Sequence, residues 1–385
     1  MQGFLKRTDL LKKLKTLLAN YPAVALLGAR QVGKSTLAKE ILTQFKNSIY
    51  LDLELPREWN KLSDPEAFFE FHEQKLVCLD EIQLKPNLFQ ILRGVIDQRK
   101  RMGQFLILGS AGRDFIQQSS QTLAGRIAFL DITPFHVQET GNNLFYKHWL
   151  RGGYPLSFLS QSDSLSLEWR YNYIRTFLER DIPQLGFNIP AKTLERFWTL
   201  LAHSQGQTLN NSKLGKILGK SSHTIRSYID ILEQTFIIRV LKPYIKNEKK
   251  RLVKSPKLYI RDTGLLHALL NIQTNDDLFS HPIYGISFES YVVENICYHL
   301  KNWNSYFYRT SSGTELDLVL EKAGKVIAIE IKASTTAKTD RGFWKGIEDI
   351  KADEKYIIAP IKDTYPIQKN VKVTNLSHFL NSMKL

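Results

Sequence analysis

A glycine-rich loop between two apolar segments constrains the fold of this chain more than any other feature. Residues 23–27 are the run Ala-Val-Ala-Leu-Leu, typical of a strand buried on both faces. The loop follows at once and fits the pattern GxxxxGK[ST] in full, with the residues Gly28, Ala29, Arg30, Gln31, Val32, Gly33, Lys34, Ser35 and Thr36. Apolar residues then recur at helical spacing at positions 37, 38, 41 and 42. The order strand, loop, helix predicts a phosphate-binding loop in an α/β domain.

The residue types in this loop suit a nucleotide. Glycines permit a tight turn whose backbone N–H groups point at phosphate oxygens, with the positive end of a helix behind them. Lys34 would reach the β- and γ-phosphates, and the Ser35 hydroxyl would coordinate Mg²⁺. We therefore expect ATP and Mg²⁺ as ligands.

Two further strand patterns end in polar residues that belong beside such a loop. Residues 76–79 lead into Asp80 and Glu81, of which Asp80 can hold Mg²⁺ and Glu81 can orient an attacking water. Residues 105–108 lead into Gly109 and Ser110, whose hydroxyl would lie near a γ-phosphate. The alternative for Ser110 is an ordinary turn residue.

In the order of these motifs, with the phosphate loop first, the acidic strand next and the polar-ended strand after it, the sequence resembles an AAA+ ATPase. In that superfamily an arginine before the fifth core strand often reaches the nucleotide of a neighbouring subunit, and Arg126 in Leu-Ala-Gly-Arg at 123–126 is the matching position. Arg113 competes for the role, and either arginine could be merely solvated. The resemblance implies a homo-oligomer, with a hexameric ring as one form.

The chain is strongly basic, and the charge is concentrated. It has 53 Lys and Arg against 38 Asp and Glu, a net charge of +15. Residues 201–260 hold twelve basic and three acidic residues, so +9 of the surplus lies in sixty residues. Such a surplus in a folded chain indicates a polyanionic partner such as nucleic acid; the alternative is a basic surface that serves solubility alone.

The basic segment resembles a winged helix-turn-helix. A helix over 211–218, a Gly-Lys turn and a second helix over 221–235 would be followed by strands over 236–241 and 257–260. The resemblance implies DNA contacts, structure-specific and not sequence-specific, from the early second helix and the lysine-rich connection: Ser222, His223, Arg226, Lys249, Lys250 and Arg251. The alternative is a domain that docks subunits or a protein partner.

The C-terminal third resembles the PD-(D/E)XK restriction-endonuclease-like fold. A helix over 288–300 carries Glu289 and Glu294, and strands over 306–308, 316–320 and 326–331 follow. Asp317 lies on the second strand, with Glu330 and Lys332 at the end of the third, on one face. The resemblance implies that Asp317, Glu330 and Glu289 or Glu294 bind a metal ion while Lys332 helps to activate water. The alternative is a nuclease-like fold kept for binding or assembly.

Taken as a whole, the chain resembles prokaryotic AAA-type ATPases with a C-terminal domain of undefined function related to PD-(D/E)XK nucleases. The resemblance also rests on residues 261–266, Arg-Asp-Thr-Gly-Leu-Leu. We predict four segments: an ATPase domain (1–150), a helical lid or connector (151–200), a winged-helix candidate (201–265) and a nuclease-like domain (266–385).

The predicted function is ATP hydrolysis by an oligomeric motor that acts on DNA in branch migration, translocation or repair. The two alternatives are an ATP-regulated, metal-dependent nuclease and a nucleotide-switched scaffold without DNA activity. Only two cysteines occur and no stretch approaches the ~20 apolar residues of a membrane span, so we expect a cytoplasmic protein without a membrane partner.

Overall fold

The computed structural model describes residues 4–110, 122–245, 252–368 and 370–383. These residues form two compact units. The N-terminal unit runs to residue 134 and includes 234–236; the C-terminal unit contains the remainder from residue 135. No helix in the described ranges is both long enough and apolar enough to cross a membrane.

The N-terminal unit consists of a parallel sheet and flanking helices. Its elements are α1 (Thr8–Asn20), β1 (Ala23–Gly28), α2 (Lys34–Leu42), β2 (Ser48–Asp52), α3 (Pro56–Asn60), α4 (Pro65–Phe71), β3 (Leu76–Asp80), a 3₁₀ turn (Ile82–Leu84), α5 (Leu88–Arg99), β4 (Phe105–Ser110) and β5 (Ile127–Asp131). The strand order is β2-β3-β4-β1-β5, and all pairs are parallel. The strands predicted around residues 23–27, 76–79, 105–108 and 127–130 are confirmed.

The position of β1 follows from its sequence. All six of its residues are buried, as an apolar run between two neighbouring strands requires. In register, Gly28 lies opposite Ser110, and Asp52 lies opposite Asp80. The carboxyl ends of the strands therefore meet at one edge of the sheet, where the loop after β1 begins.

The C-terminal unit combines many helices with a second sheet. Its helices are α6 (Val137–Thr140), α7 (Phe145–Arg151), α8 (Pro155–Phe158), α9 (Asp163–Thr176), α10 (Ile182–Gln184), α11 (Ala191–His203), α12 (Asn211–Leu218), α13 (Ser222–Gln234), α14 (Thr263–Leu269), α15 (Asn275–Ser280), α16 (Tyr284–His299), α17 (Arg341–Asp349) and α18 (Leu376–Ser382). A 3₁₀ turn (Asn142–Leu144) precedes α7, and a π-helical turn (Phe177–Asp181) follows α9. Its strands are β6 (Ile238–Pro243), β7 (Lys257–Ile260), β8 (Asn304–Arg309), β9 (Glu315–Lys322), β10 (Lys325–Ile331), β11 (Glu354–Ile358), β12 (Tyr365–Gln368) and β13 (Val371–Thr374).

The eight strands form one sheet with the order β12-β13-β11-β10-β9-β8-β6-β7. Alternate residues of β10 point to opposite faces of the sheet, and each face is covered by a different helix. Ile327 and Ile329 pack with residues of α16, and Val326 and Ala328 pack with residues of α17. The result is a sheet between two helical layers.

The helix pair predicted in the basic segment is confirmed: α12 and α13 agree with the expected boundaries within one residue. The turn between them depends on Gly219, which has a left-handed φ of 63°. The apolar face of α13, from Ile225 to Leu232, is buried. The strands after the helices form a hairpin, and β6 also pairs with β8. This hairpin therefore extends the C-terminal sheet.

Residues 152–154, just after the predicted boundary between the ATPase domain and the connector, form a buried turn between α7 and α8. The Asp262 carboxylate accepts hydrogen bonds from the backbone N–H groups of Gly153 (2.8 Å) and Leu265 (3.0 Å). A Cβ atom on Gly264 would lie 2.1 Å from the carbonyl oxygen of Arg151. The predicted boundary at 150/151 thus falls inside the C-terminal unit, and the two units divide at residue 134.

Candidate functional site

The loop after β1 is held in place by close backbone packing. A Cβ atom on Gly28 would lie 2.0 Å from the carbonyl oxygen of Ile132, so only glycine fits there. Gly33 precedes α2 with a φ of 93°, again a conformation that favours glycine. Helix α2 begins at Lys34, and its first-turn N–H groups face the loop. The predicted strand, loop and helix context is confirmed.

Lys34 is folded onto the loop. Its side chain is buried, and its ammonium donates to the carbonyl oxygens of Gly28 (3.0 Å) and Ala29 (2.9 Å). These bonds place a positive charge inside the curve of the loop, beside the N-terminus of α2. Both features favour the binding of an anion at this position.

Asp80 links the loop to the neighbouring strands. One of its carboxylate oxygens, Oδ2, accepts a hydrogen bond from Ser35 Oγ at 2.7 Å and another from the Tyr50 hydroxyl. Burial, together with the Asp80 carboxylate, raises the pKa of Tyr50 well above its ordinary value. Ser35 and Asp80 are thus adjacent, as a shared metal ion requires. Carboxylate and hydroxyl oxygens are suitable Mg²⁺ ligands, so the residues present fit that ion.

Tyr50 was missed by the sequence reasoning. It lies on β2, opposite Cys78 in the register with β3, and this places its hydroxyl at Asp80. No motif surrounds Tyr50, so only knowledge of which strand lies beside β3 could have identified it.

Glu81 has an unusual backbone conformation for a residue other than glycine, with a φ of 56°. Its carboxylate accepts a hydrogen bond from the Gln83 amide. Burial raises the pKa of Glu81, and the nearby Lys34 ammonium opposes that shift. A strained backbone at a partly buried acid is a common feature of functional sites.

The other predicted residues of this unit lie in different places. Ser110 ends β4 beside Gly28, but its side chain and Arg113 lie outside the described residues. Arg126 precedes β5 and pairs with Asp97 through Nε–Oδ1 (2.5 Å) and Nη2–Oδ2 (3.0 Å). Because β5 runs parallel to β1, Arg126 lies at the opposite edge of the sheet from its own loop, about 17 Å away over five residues of strand.

The C-terminal unit brings together most of the predicted nuclease-like residues. Asp317 on β9 accepts a hydrogen bond from the Ile331 N–H (2.8 Å) at the end of β10, next to Glu330. Lys332 donates to Glu330 Oε1 at 2.7 Å. Glu289 of α16 lines the same cavity of about 880 Å³ as these three side chains. The four residues therefore form one carboxylate centre.

Glu294, the other candidate on α16, is elsewhere. It accepts hydrogen bonds from Arg239 (2.7 Å) and Arg261 (2.8 Å). Although burial opposes the charged form, the two arginines lower the pKa of Glu294. Glu294 is thus a partly buried member of an ion cluster, and Glu289 is the helix acid of the carboxylate centre.

The carboxylate centre contains a residue that the sequence reasoning assigned to the basic surface. Lys257, the first residue of β7, is buried, and its Nζ lies 2.8 Å from Glu315, 3.1 Å from Glu289 and 4.0 Å from Asp317. Burial lowers the pKa of Lys257, but the surrounding carboxylates outweigh that effect and raise it well above its ordinary value. Lys257 therefore stays charged.

This arrangement does not fit the metal ion that the nuclease resemblance implies. Of the acids that the resemblance assigns to a metal ion, Asp317 and Glu289 both face the Lys257 ammonium, and Glu330 is paired with Lys332. Among the described residues, no group of three His, Cys, Asp or Glu side chains is arranged to hold a metal ion.

The predicted DNA-contacting residues are only partly described. Ser222, His223 and Arg226 are exposed on the early part of α13, on the side opposite its buried face. Lys249, Lys250 and Arg251 lie outside the described residues.

The N-terminal unit contains an AAA-type domain: residues 20–141 match the AAA domain family. The chain belongs to the same family as the uncharacterized protein Rv2008c of Mycobacterium tuberculosis, to which it is 37% identical over 367 residues, 95% of this chain and 83% of that protein. An uncharacterized protein of Haemophilus influenzae is 23% identical over 337 residues, 79% of this chain and 80% of that protein. The prediction of an AAA-type domain is confirmed.

The remaining comparisons concern the fold. Residues 142–276 and 284–379 match two domains of unknown function, DUF8612 and DUF4143. The Walker-type ATPase paby2304 of Pyrococcus abyssi is similar in structure, with a TM-score of 0.50 and 16% identity, over 69% of this chain and 96% of that chain. At this identity the similarity shows a shared fold. The relation of the C-terminal domain to nucleases stays a prediction.

Tyr50 supplies a test of the geometry around Asp80. A hydrogen bond to a charged group is worth about 1.5–3 kcal/mol, so Tyr50→Phe should raise the Mg²⁺ concentration needed for tight ATP binding by about tenfold or more. Binding without Mg²⁺ should stay unchanged. A titration of Mg²⁺ with a fluorescent ATP analogue measures binding of the analogue with and without Mg²⁺. Tyr21→Phe, at an exposed position after α1, is the matched control. An equal loss with and without Mg²⁺ would contradict this role of Tyr50.

Proposed function

We propose that the protein is a Mg²⁺-dependent, oligomeric ATP hydrolase that acts on DNA. The observation that carries the ATPase part is the contact between Ser35 and Asp80 beside the loop that Lys34 occupies. The AAA domain match supports the same assignment. The DNA part and the oligomer rest on the exposed residues of α13, on the charge of residues 201–260 and on the position of Arg126.

Each group at the nucleotide site would have a defined task. Lys34 would exchange the carbonyl oxygens of Gly28 and Ala29 for phosphate oxygens, which bind a cation more strongly because they are charged. Ser35 and Asp80 would hold Mg²⁺, which neutralises charge on the phosphates. Glu81 would accept a hydrogen bond from the attacking water and orient it toward the γ-phosphate. Because burial raises the pKa of Glu81, the approach of Lys34 and of the metal ion helps to keep it ionised.

Lys34→Ala tests the hydrolytic site. Loss of one preorganised charge at the transferred phosphate costs about 100-fold or more in rate, so we expect a loss of that size. Release of inorganic phosphate from ATP measures it. Lys46→Ala removes an exposed lysine shortly after α2 and should leave the rate unchanged. An undiminished rate in Lys34→Ala would reject the proposed ATPase site.

Arg126 belongs to the proposed oligomer. It lies too far from its own loop to act there, and an arginine in this position acts on the nucleotide of an adjacent subunit. In that case Arg126 exchanges its ion pair with Asp97 for contacts with the neighbour's phosphates.

Two variants separate this role from a structural one. Arg126→Ala should lower hydrolysis by about 1,000-fold while ATP binding persists, because trans-acting arginines are worth that much in rate. A mixture of Arg126→Ala and Lys34→Ala subunits should recover part of the activity, since some interfaces combine an intact loop with an intact arginine. Asp97→Asn breaks the same ion pair but should keep the rate. Parallel losses of rate and thermal stability in Arg126→Ala and Asp97→Asn would show that Arg126 is structural.

The DNA part of the proposal rests on the helix pair. Helix α13 buries one face and exposes Ser222, His223 and Arg226 near its start, which is how a helix presents side chains to a groove or to phosphates. On α12, Lys213 and Lys216 are also exposed. A cluster of cations on one surface gives affinity for nucleic acid that depends on salt and little on sequence.

Arg226→Ala tests this surface. We expect duplex or forked DNA to bind about tenfold more weakly at low salt, and the slope of log affinity against log salt to fall by about one. Fluorescence anisotropy at several salt concentrations gives both values. Lys345→Ala on α17 makes the same charge change at another exposed site and should have no effect. If both variants match the wild type, or if no DNA binds, the scaffold alternative gains support.

Nuclease activity is not part of the proposal. The carboxylate centre holds Lys257 between Glu289 and Asp317 and pairs Glu330 with Lys332, so the acids that would bind a divalent ion already face ammonium groups.

A further inference from the structure

The carboxylate centre of the C-terminal unit contains its own cation. We propose that Lys257 is the resident counter-ion of this centre, and that the centre binds no divalent metal ion while Lys257 is in place. The inference concerns a site separate from the nucleotide loop and does not rest on the proposed function.

The first argument is the position of the ammonium group. Lys257 Nζ contacts Glu315 Oε1 at 2.8 Å and Glu289 Oε1 at 3.1 Å, and Asp317 Oδ1 lies at 4.0 Å. These three carboxylates come from two strand positions and one helix, so they converge on a point in space. A divalent cation that took Glu289 and Asp317 as ligands would compete with the ammonium for the same space, with oxygen ligands at about 2.0–2.6 Å.

The second argument is that Lys257 has little freedom to leave. It is the first residue of β7, and its backbone is paired in register with Leu241 of β6. Its side chain is 2% exposed, and the ammonium lies 5.6 Å from the centre of the Phe307 ring. A lysine on an edge strand such as β7 could turn into solvent, but the side chain of Lys257 is enclosed by the carboxylates and an aromatic ring.

The third argument is that the surrounding acids have taken other partners. Glu289 Oε1 also accepts a hydrogen bond from the Tyr259 hydroxyl at 2.5 Å. Glu330 Oε1 is bound to Lys332, and Asp317 Oδ2 to the Ile331 N–H. Glu289, Glu330 and Asp317 thus each have one oxygen engaged by a protein donor other than Lys257.

One buried acceptor atom of the centre, Glu330 Oε2, has no hydrogen-bond partner among the described residues. It is a single oxygen on the side of the centre that Lys332 occupies, and a single oxygen does not make a metal site. The centre thus has a lysine on each side, Lys257 toward the helix and Lys332 at the end of β10.

Mn²⁺ binding to the full chain tests the proposal directly. Electron paramagnetic resonance measures the concentration of free Mn²⁺ in four separate samples without nucleotide. Each sample contains one protein: the wild type, Asp317→Asn, Lys257→Met, or the double variant. Any Mn²⁺ held at the nucleotide loop is common to all four and cancels in the differences.

We expect wild type and Asp317→Asn to bind the same amount of Mn²⁺, because the centre contributes nothing while Lys257 is present. Lys257→Met removes the ammonium group and leaves an unbranched apolar side chain one atom shorter, and it should bind one additional Mn²⁺ ion per chain. The double variant should lose that ion again, which assigns it to Asp317.

Two results would overturn the proposal. Mn²⁺ binding by the wild type that disappears in Asp317→Asn would show that Lys257 yields to the metal ion. A folded Lys257→Met that binds no more Mn²⁺ than the wild type would show that the lysine is not what excludes it. Circular dichroism reports folding; Lys257→Gln serves as a second neutral variant, and the comparison of wild type with Asp317→Asn decides the question even if both lysine variants fail to fold.

Discussion

Parallel pairing of β1 with β4 on one side and β5 on the other fixes the position of nearly every group at the nucleotide site. Because parallel strands end at the same edge of the sheet, the loop after β1 and the acids at the end of β3 meet at that edge. The Ser35–Asp80 hydrogen bond is formed there, and the register of β2 with β3 adds the Tyr50 contact. The pairing of β1 with β5 places Arg126 at the opposite edge, away from its own loop.

The C-terminal unit shows a different constraint: charges taken out of water must be paired. Buried ions are costly unless partners surround them. Glu294 meets two arginines, and Lys257 meets several carboxylates. The pairing of β6 with β8 makes the second arrangement possible, because it places the β6–β7 hairpin in the same sheet as β9, the strand that carries Glu315 and Asp317.

The features that the sequence predicted correctly are local. The phosphate-binding loop is a contiguous pattern, and the strands around it are short apolar runs. The helix pair at 211–234 was recognised because Gly219 and the spacing of apolar residues along α13 are both visible within a few turns.

The features that were missed depend on which strands lie side by side. Nothing near Tyr50 indicates that β2 borders β3, and nothing near Lys257 indicates that its strand belongs to the C-terminal sheet. Lys257 was therefore counted with the basic surface, although it is buried among acids. The choice between Glu289 and Glu294 was open for the same reason: they are five residues apart on one helix, and only packing shows which one faces β9.

Lys34 is held by the backbone of its own loop, since its ammonium donates to the carbonyl oxygens of Gly28 and Ala29. A carbonyl oxygen carries only a partial negative charge, so a charged phosphate oxygen would compete well for the same ammonium. Under the proposed function, the binding of a nucleotide would therefore be an exchange of partners by one side chain.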